Sequence, residues 1–170
     1  MQCVRTEDIT SEISSLYESS FSPIEKIPYE NIMRTFGRGG ELLSFYDDGT
    51  FVGFSFLYRC ARGVFLVYLA VRPDIRSKGY GAGILSMIRG MYQGCDVFLP
   101  MEPLDPGAED IELRKRRYGF YIRNGCTDSG FTVISDDYPF EILFLQGSMS
   151  KDAVESVIGE YEDVHNGRRP

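Results

Sequence analysis

A chain of 170 residues, 43% hydrophobic, is long enough for one globular domain with a substantial core. Its formal net charge of −7 argues against non-specific nucleic-acid binding and against an anionic membrane surface, so neither partner is expected. Four cysteines (Cys3, Cys60, Cys95, Cys126) form no C-x-x-C pair and the single histidine is His165, so no metal site is expected and the cysteines read as reduced thiols. No charged-then-apolar leader opens the sequence, and no apolar run approaches the ~18–20 residues of a membrane span, so a soluble, cytoplasmic protein is expected.

In chain order, Cys3-Val4-Arg5 reads as a short strand. Ile13, Leu16 and Tyr17 share a face of a helix over 10–19, capped by Thr10 or Ser11. Ser22-Pro23 breaks it. Pro28 suits the first turn of a second short helix carrying Ile32, Met33 and Phe36, which the glycines from Gly37 to Gly40 stop. Strands over 41–46 and 51–58 flank the hairpin turn Asp47-Asp48-Gly49-Thr50. Residues 59–63 lead into VFLVYLAV (64–71), an unbroken apolar and β-branched run of the kind a buried strand needs. Pro73 and Asp74 end it. After Arg76, Lys78 and the alternate glycines Gly79, Gly81 and Gly83, the residues Ile84, Leu85, Ile88, Met91 and Tyr92 recur at helical spacing. Cys95 to Met101 is a second buried strand, parallel to the first because a helix joins them.

A loop with two prolines (102–109) precedes a helix over 110–123 that sets Ile111, Tyr118 and Tyr121 toward one face. Asn124-Gly125 ends it. Residues 126–134 and 140–145 read as an antiparallel pair around Ser135-Asp136-Asp137-Tyr138-Pro139. Residues 150–164 form an added helix with a stripe of Val154, Val157, Ile158 and Tyr161, which covers either its own sheet or a partner chain. His165 to Pro170 reads as a frayed tail. No internal repeat or second domain is apparent.

The junction around Arg76 carries the chemistry. A helix start leaves backbone N–H groups unpaired, glycines let an anion approach them, and Arg76 and Lys78 add charge, so the turn suits a phosphate or pyrophosphate. A Walker loop is excluded because no G-x-x-x-x-G-K-[ST] string occurs. A dinucleotide fingerprint is excluded because Ile84 stands where the third glycine belongs.

The string Arg76-x-x-Gly79-x-Gly81 directly after Leu69-Ala70-Val71 resembles the acyl-CoA-binding motif R/Q-x-x-G-x-G/A of the GNAT superfamily of N-acetyltransferases. The element order β-α-α-β-β-β-α-β-α-β-β over residues 1–146 is similar to that of the GNAT fold. Phe120-Tyr121-Ile122-Arg123-Asn124-Gly125 resembles the family signature F-Y-x-x-x-G-F, and EPLDPGAEDIELRKRRYGFYIRNG is similar to a bacterial, single-domain subgroup. The resemblance implies an α/β (α+β) fold, with a mixed central sheet of about seven strands and helices on both faces. It also implies a splay between the two central parallel strands. Residues 1–146 would form the acetyltransferase domain, with 147–170 packed on it or extending it. Two positions depart from the pattern: Cys126 stands where the family usually has Phe. Arg114 stands where many members carry an Asn that contacts pantetheine, a role Arg114 does not inherit.

The resemblance implies acetyl-CoA as co-substrate and an amine acceptor. Backbone groups of Leu69, Ala70 and Val71 would pair with pantetheine. Arg76, Ser77, Lys78, Gly79, Tyr80, Gly81 and Ala82 would hold the pyrophosphate, a site that Gly81→Glu should destroy. The Leu69 N–H is the candidate polariser of the thioester carbonyl, and Tyr121 the general acid for the departing thiolate. The central strand lacks the family's carboxylate. Glu102 is the candidate base acting through a water, Glu30 is another, and deprotonation by water alone stays open. Tyr29 and Glu30 are candidate acceptor contacts, while Arg114 to Arg117 reads as a solvated helix face. The implied function is acetyl transfer to a primary amine of a small molecule or protein, by direct attack in a ternary complex without a covalent enzyme intermediate. A non-catalytic acyl-CoA-binding or sensing module is the alternative. Members of this fold often dimerise, which makes the C-terminal stripe a candidate homodimer surface.

Overall fold

The aromatic and β-branched runs of the chain pair into one seven-stranded sheet, described with its helices by a computed structural model covering residues 1–23, 25–135 and 137–168. In chain order the elements are β1 (Gln2–Thr6), α1 (Ser11–Ser20), α2 (Tyr29–Arg34), β2 (Gly40–Asp47), β3 (Thr50–Cys60) and β4 (Gly63–Val71). After a short 3-10 turn at Pro73–Ile75 come α3 (Tyr80–Met91), β5 (Val97–Met101), α4 (Ile111–Arg123), β6 (Thr127–Ser135), β7 (Tyr138–Gln146) and α5 (Lys151–His165). The strand order is β1-β2-β3-β4-β5-β7-β6, with β4 and β5 parallel and every other neighbouring pair antiparallel. Every predicted element is present. Of the expected turn at 135–139 and the expected tail, Asp136, Arg169 and Pro170 lie outside the described residues.

Side-chain alternation divides the core between the two sheet faces. On one face Phe54, Phe56, Tyr58, Phe65 and Tyr68 pack with Ile13, Leu16 and Tyr17 of α1, Ile32 of α2 and the apolar side of α5. On the other, Leu57, Val64, Leu66, Val97 and Leu99 pack with Ile84, Leu85 and Ile88 of α3, joined by Tyr118, Phe120 and Tyr121 of α4. The caps follow from sequence: the Thr10 hydroxyl accepts from the Ile13 N–H, and the Ser150 hydroxyl from the Ala153 N–H.

The stripe on α5 covers its own sheet. Val154, Val157, Ile158, Tyr161 and Val164 are all buried in the first cluster. His165 is no part of a frayed end: it closes α5, is 3% exposed, and sets its ring edge-on to Tyr161 at 4.5 Å. No helix among the described residues is long and apolar enough to cross a membrane.

Candidate active site

The two parallel strands meet over only two residue pairs, Val64↔Val97 and Phe65↔Phe98, where the phenylalanine rings stack at 5.0 Å. Beyond them β4 runs on to Val71 against β3, and β5 to Met101 against β7. The cause is visible in the β3–β4 register, which steps from Leu57↔Leu66 to Phe56↔Tyr68 and leaves Val67 as an extra residue. Val67 and Tyr68 consequently pack toward the same face. A bulge bends its strand, and this one begins two residues after the last β4–β5 pair. The expected splay is therefore present, and its β4 side carries Leu69 and Val71, partly buried against the α3 face.

Where β4 ends, the chain turns into α3 through the glycine-rich stretch, with left-handed backbone at two positions. Ser77 (φ 64) and Gly79 (φ 87) both adopt the left-handed conformation, and Gly79 caps α3. Alternation of this kind turns successive N–H groups inward as an anion-binding nest. Among the described residues, the N–H groups of Ser77, Lys78, Gly79, Tyr80, Gly81 and Ala82 have no acceptor. The positive end of the helix dipole lies behind them. Arg76 and Lys78 are exposed, and the nearby Asp74 is paired with Arg72 at 2.6 Å. The Arg76 Nε donates to the Val71 carbonyl at 3.1 Å, which ties the turn to the strand end.

Phe120 of α4 lies against the start of α3: a Cβ on Gly81 would stand 2.9 Å from the Phe120 ring. The next residue, Tyr121, turns its ring edge to Phe120 at 5.1 Å and packs into the same cluster as Leu69 and Val71. Burial raises its phenol well above the ordinary tyrosine range; nearby Arg117 opposes that rise. Tyr121 thus stays protonated through the neutral range.

At the open end of the splay stands a charged cluster. Leu69 and Glu102 each lie four residues past the last β4–β5 pair. Arg117, one helical turn before Tyr121, pairs with Glu102, and it also approaches Glu25 at 3.6 Å and Asp110 at 3.9 Å. Glu25 belongs to the α1–α2 connection on the opposite sheet face, where its carbonyl accepts from the Tyr68 hydroxyl at 2.6 Å. Arg117 therefore reaches through the gap from one face to the other. The Glu102 side chain is 14% exposed, and burial raises its carboxyl above the usual range against the pull of Arg117.

A model of the Acetyltransferase (GNAT) family matches residues 7–97, more than half of the chain. The chain belongs to the GNAT acetyltransferase family. No curated protein matches it by sequence. Among solved structures it is similar to a GNAT-family acetyltransferase from Bacteroides thetaiotaomicron, at 21% identity and TM-score 0.71, over 89% of this chain and 88% of that one. It also resembles an aminoglycoside 6′-N-acetyltransferase complexed with coenzyme A, at 16% identity and TM-score 0.63, over 88% and 100% of the two chains. A third likeness is to the ribosomal-protein-S18-alanine N-acetyltransferase from Escherichia coli, at 12% identity and TM-score 0.59, over 89% and 97%. These identities speak for the GNAT fold alone.

Within that fold the residues singled out from sequence divide into two groups. Leu69, Ala70, Val71, the turn from Arg76 to Ala82 and Tyr121 lie around the splay and its α3 face, apart from Ala70, whose side chain packs to the opposite face. Tyr80 offers the turn only its backbone, since its hydroxyl donates to Asp47 at 2.9 Å. The acceptor candidates fare differently. The Tyr29 hydroxyl donates to Glu18 at 2.7 Å and its ring packs on Tyr17, while Glu30 faces solvent. Residues 114–117 are not one solvated face: Arg114 and Arg117 turn toward the end of β5 and Lys115 turns away. Sequence reasoning missed Glu25 and Arg117 as members of the site. The i, i+3 spacing of Arg114 and Arg117 was the one available signal.

Proposed function

We propose that this GNAT member moves an acetyl group from acetyl-CoA to a primary amine of a small molecule or protein, by direct attack in a ternary complex. The observation that carries this reading is the row of six unpaired N–H groups opening α3, beside a strand edge left free by the bulge. Both fit the donor: the row accommodates a pyrophosphate, and the free edge accommodates an amide-bearing arm paired as an added strand would be. Bound there, acetyl-CoA supplies an acyl group already activated as a thioester. The Leu69 N–H polarises the carbonyl. Glu102 takes the amine proton through a water, and the Tyr121 hydroxyl gives a proton to the departing sulfur. The unit doing this is residues 1–146, with 147–170 packed on the same sheet.

Thiol release from acetyl-CoA over a panel of primary amines tests the reading. Release that depends on both the amine and the protein is the expected result. CoA binding with no release on any amine would leave a binding module in place of an enzyme.

A further inference from the structure

We propose that Arg117 is a positioning residue for acetyl transfer, fixing the Glu102 carboxylate at the mouth of the splay one helical turn before Tyr121. The inference rests on the reading of Glu102 as base given above.

The geometry singles out Arg117 among the cations of α4. Arg114 is committed to its own helix start and the adjoining loop, through Asp110 at 2.7 Å and the Pro103 carbonyl at 3.0 Å. Lys115 pairs outward with Glu112 at 2.8 Å. Arg117 alone in that run contacts the end of β5 and the α1–α2 connection together. Glu102 follows the last residue of a strand and has a flexible stem, so the sheet by itself does not fix where its carboxylate points. A guanidinium held on a helix does, because one arm of its rigid planar fork meets Glu102 while the other faces Glu25 at 3.6 Å, so the fork sets the direction from which Glu102 is held. The Arg117 Nε is buried and has no hydrogen-bond partner among the described residues, so the guanidinium is held there at the cost of one unmet donor.

Charge is the second consequence. The groups facing Glu102 are Arg117 and Arg114 from α4, Asp110 at its N-terminal cap and Glu25 from the α1–α2 connection. On β7, Glu141 lies opposite Met101, the residue before Glu102, and Tyr138 lies near Arg114. Burial, Glu25 and Asp110 all favour the protonated carboxyl, and the two arginines oppose them. A base must be ionised, so kcat/KM falls as pH drops through the Glu102 pKa. Removing Arg117 raises that pKa and moves the acid limb to higher pH.

The test compares acid limbs in thiol-release assays with the Glu102 pKa read directly by carboxyl-carbon NMR. In Arg117→Ala both should rise by about one unit or more, a loss of about ten-fold or more in kcat/KM on the acid side. Arg117→Lys keeps the charge without the fork and should restore most of the pKa but only part of kcat, with a Tm near that of the parent. This second variant covers the case in which the alanine variant does not fold. An active parent whose acid limb stays in place in Arg117→Ala, a Glu102 pKa that rises while the limb does not, or an Arg117→Lys variant with full kcat overturns the inference alone. A parent without turnover on any amine overturns the reading beneath it, and the inference with it.

Discussion

Tyr121→Phe is expected to lower kcat by about ten- to a thousand-fold, the usual cost of losing a general acid, while CoA affinity and Tm stay near those of the parent. The substitution keeps the ring that packs against Phe120 and the second core cluster and removes only the hydroxyl, which donates to no described residue. An interaction made chiefly in the transition state appears in kcat and not in ground-state binding. The direction of the pKa adds a check on shape. Because burial raises the phenol above its ordinary value of about 10, Tyr121 keeps its proton across the working range and contributes no alkaline limb below that pH. The variant's pH profile should therefore run parallel to the parent's, displaced downward. Normal turnover in the variant would make Tyr121 a packing residue. A loss of CoA affinity would move its role to binding.

The second large effect belongs to the cradle. Gly81→Glu, the substitution that the motif suggests, would act twice, because its Cβ also collides with Phe120. Lys78→Glu is cleaner: Lys78 is exposed and flanks the nest between the two left-handed residues. Coulomb's law in water gives about a three-fold change for each pair of unit charges roughly 6 Å apart. Reversing one charge against a diphosphate of about two charges counts four such pairs, or about a hundred-fold weaker CoA binding. The loss should shrink as salt is raised, and Tm should not change. Calorimetric titration of CoA into the variant at two salt concentrations reads both. An unchanged affinity at low salt would put the pyrophosphate elsewhere.

What the sequence made legible is what local rules govern. VFLVYLAV has the length and composition of a buried strand, and the glycines after Arg76 those of a turn exposing N–H groups, so β4, the turn and α3 were readable from residues 64–92. The bulge at Val67 was not, because nothing in an unbroken apolar run marks which residue is extra; only the pairing with β3 decides it. The charged cluster was hidden for a different reason. Four consecutive cations look solvated, and the helical period divides them into an inner pair, Arg114 and Arg117, and an outer pair only once the direction of β5 is known. Glu25 sits in an aperiodic connection, and its meeting with Arg117 depends on a gap through the sheet that no local pattern encodes. Tyr29 packs on Tyr17 and bonds to Glu18, two contacts that no local pattern marks, because an aromatic near a helix start looks alike whether it lines a cleft or packs on a neighbouring ring. His165 was misread because one residue at a helix end carries no period of its own.

The central claim is that the N–H groups of residues 77–82 grip the pyrophosphate of acetyl-CoA. Titrating CoA into the protein while following its amide nitrogen–proton NMR spectrum tests this most directly. The account predicts that the amide protons of Ser77, Lys78, Gly79, Tyr80, Gly81 and Ala82 shift downfield as they acquire an anionic acceptor, with Leu69 and Val71 moving as the strand edge is filled. Saturable CoA binding that leaves those six amides unmoved would contradict it.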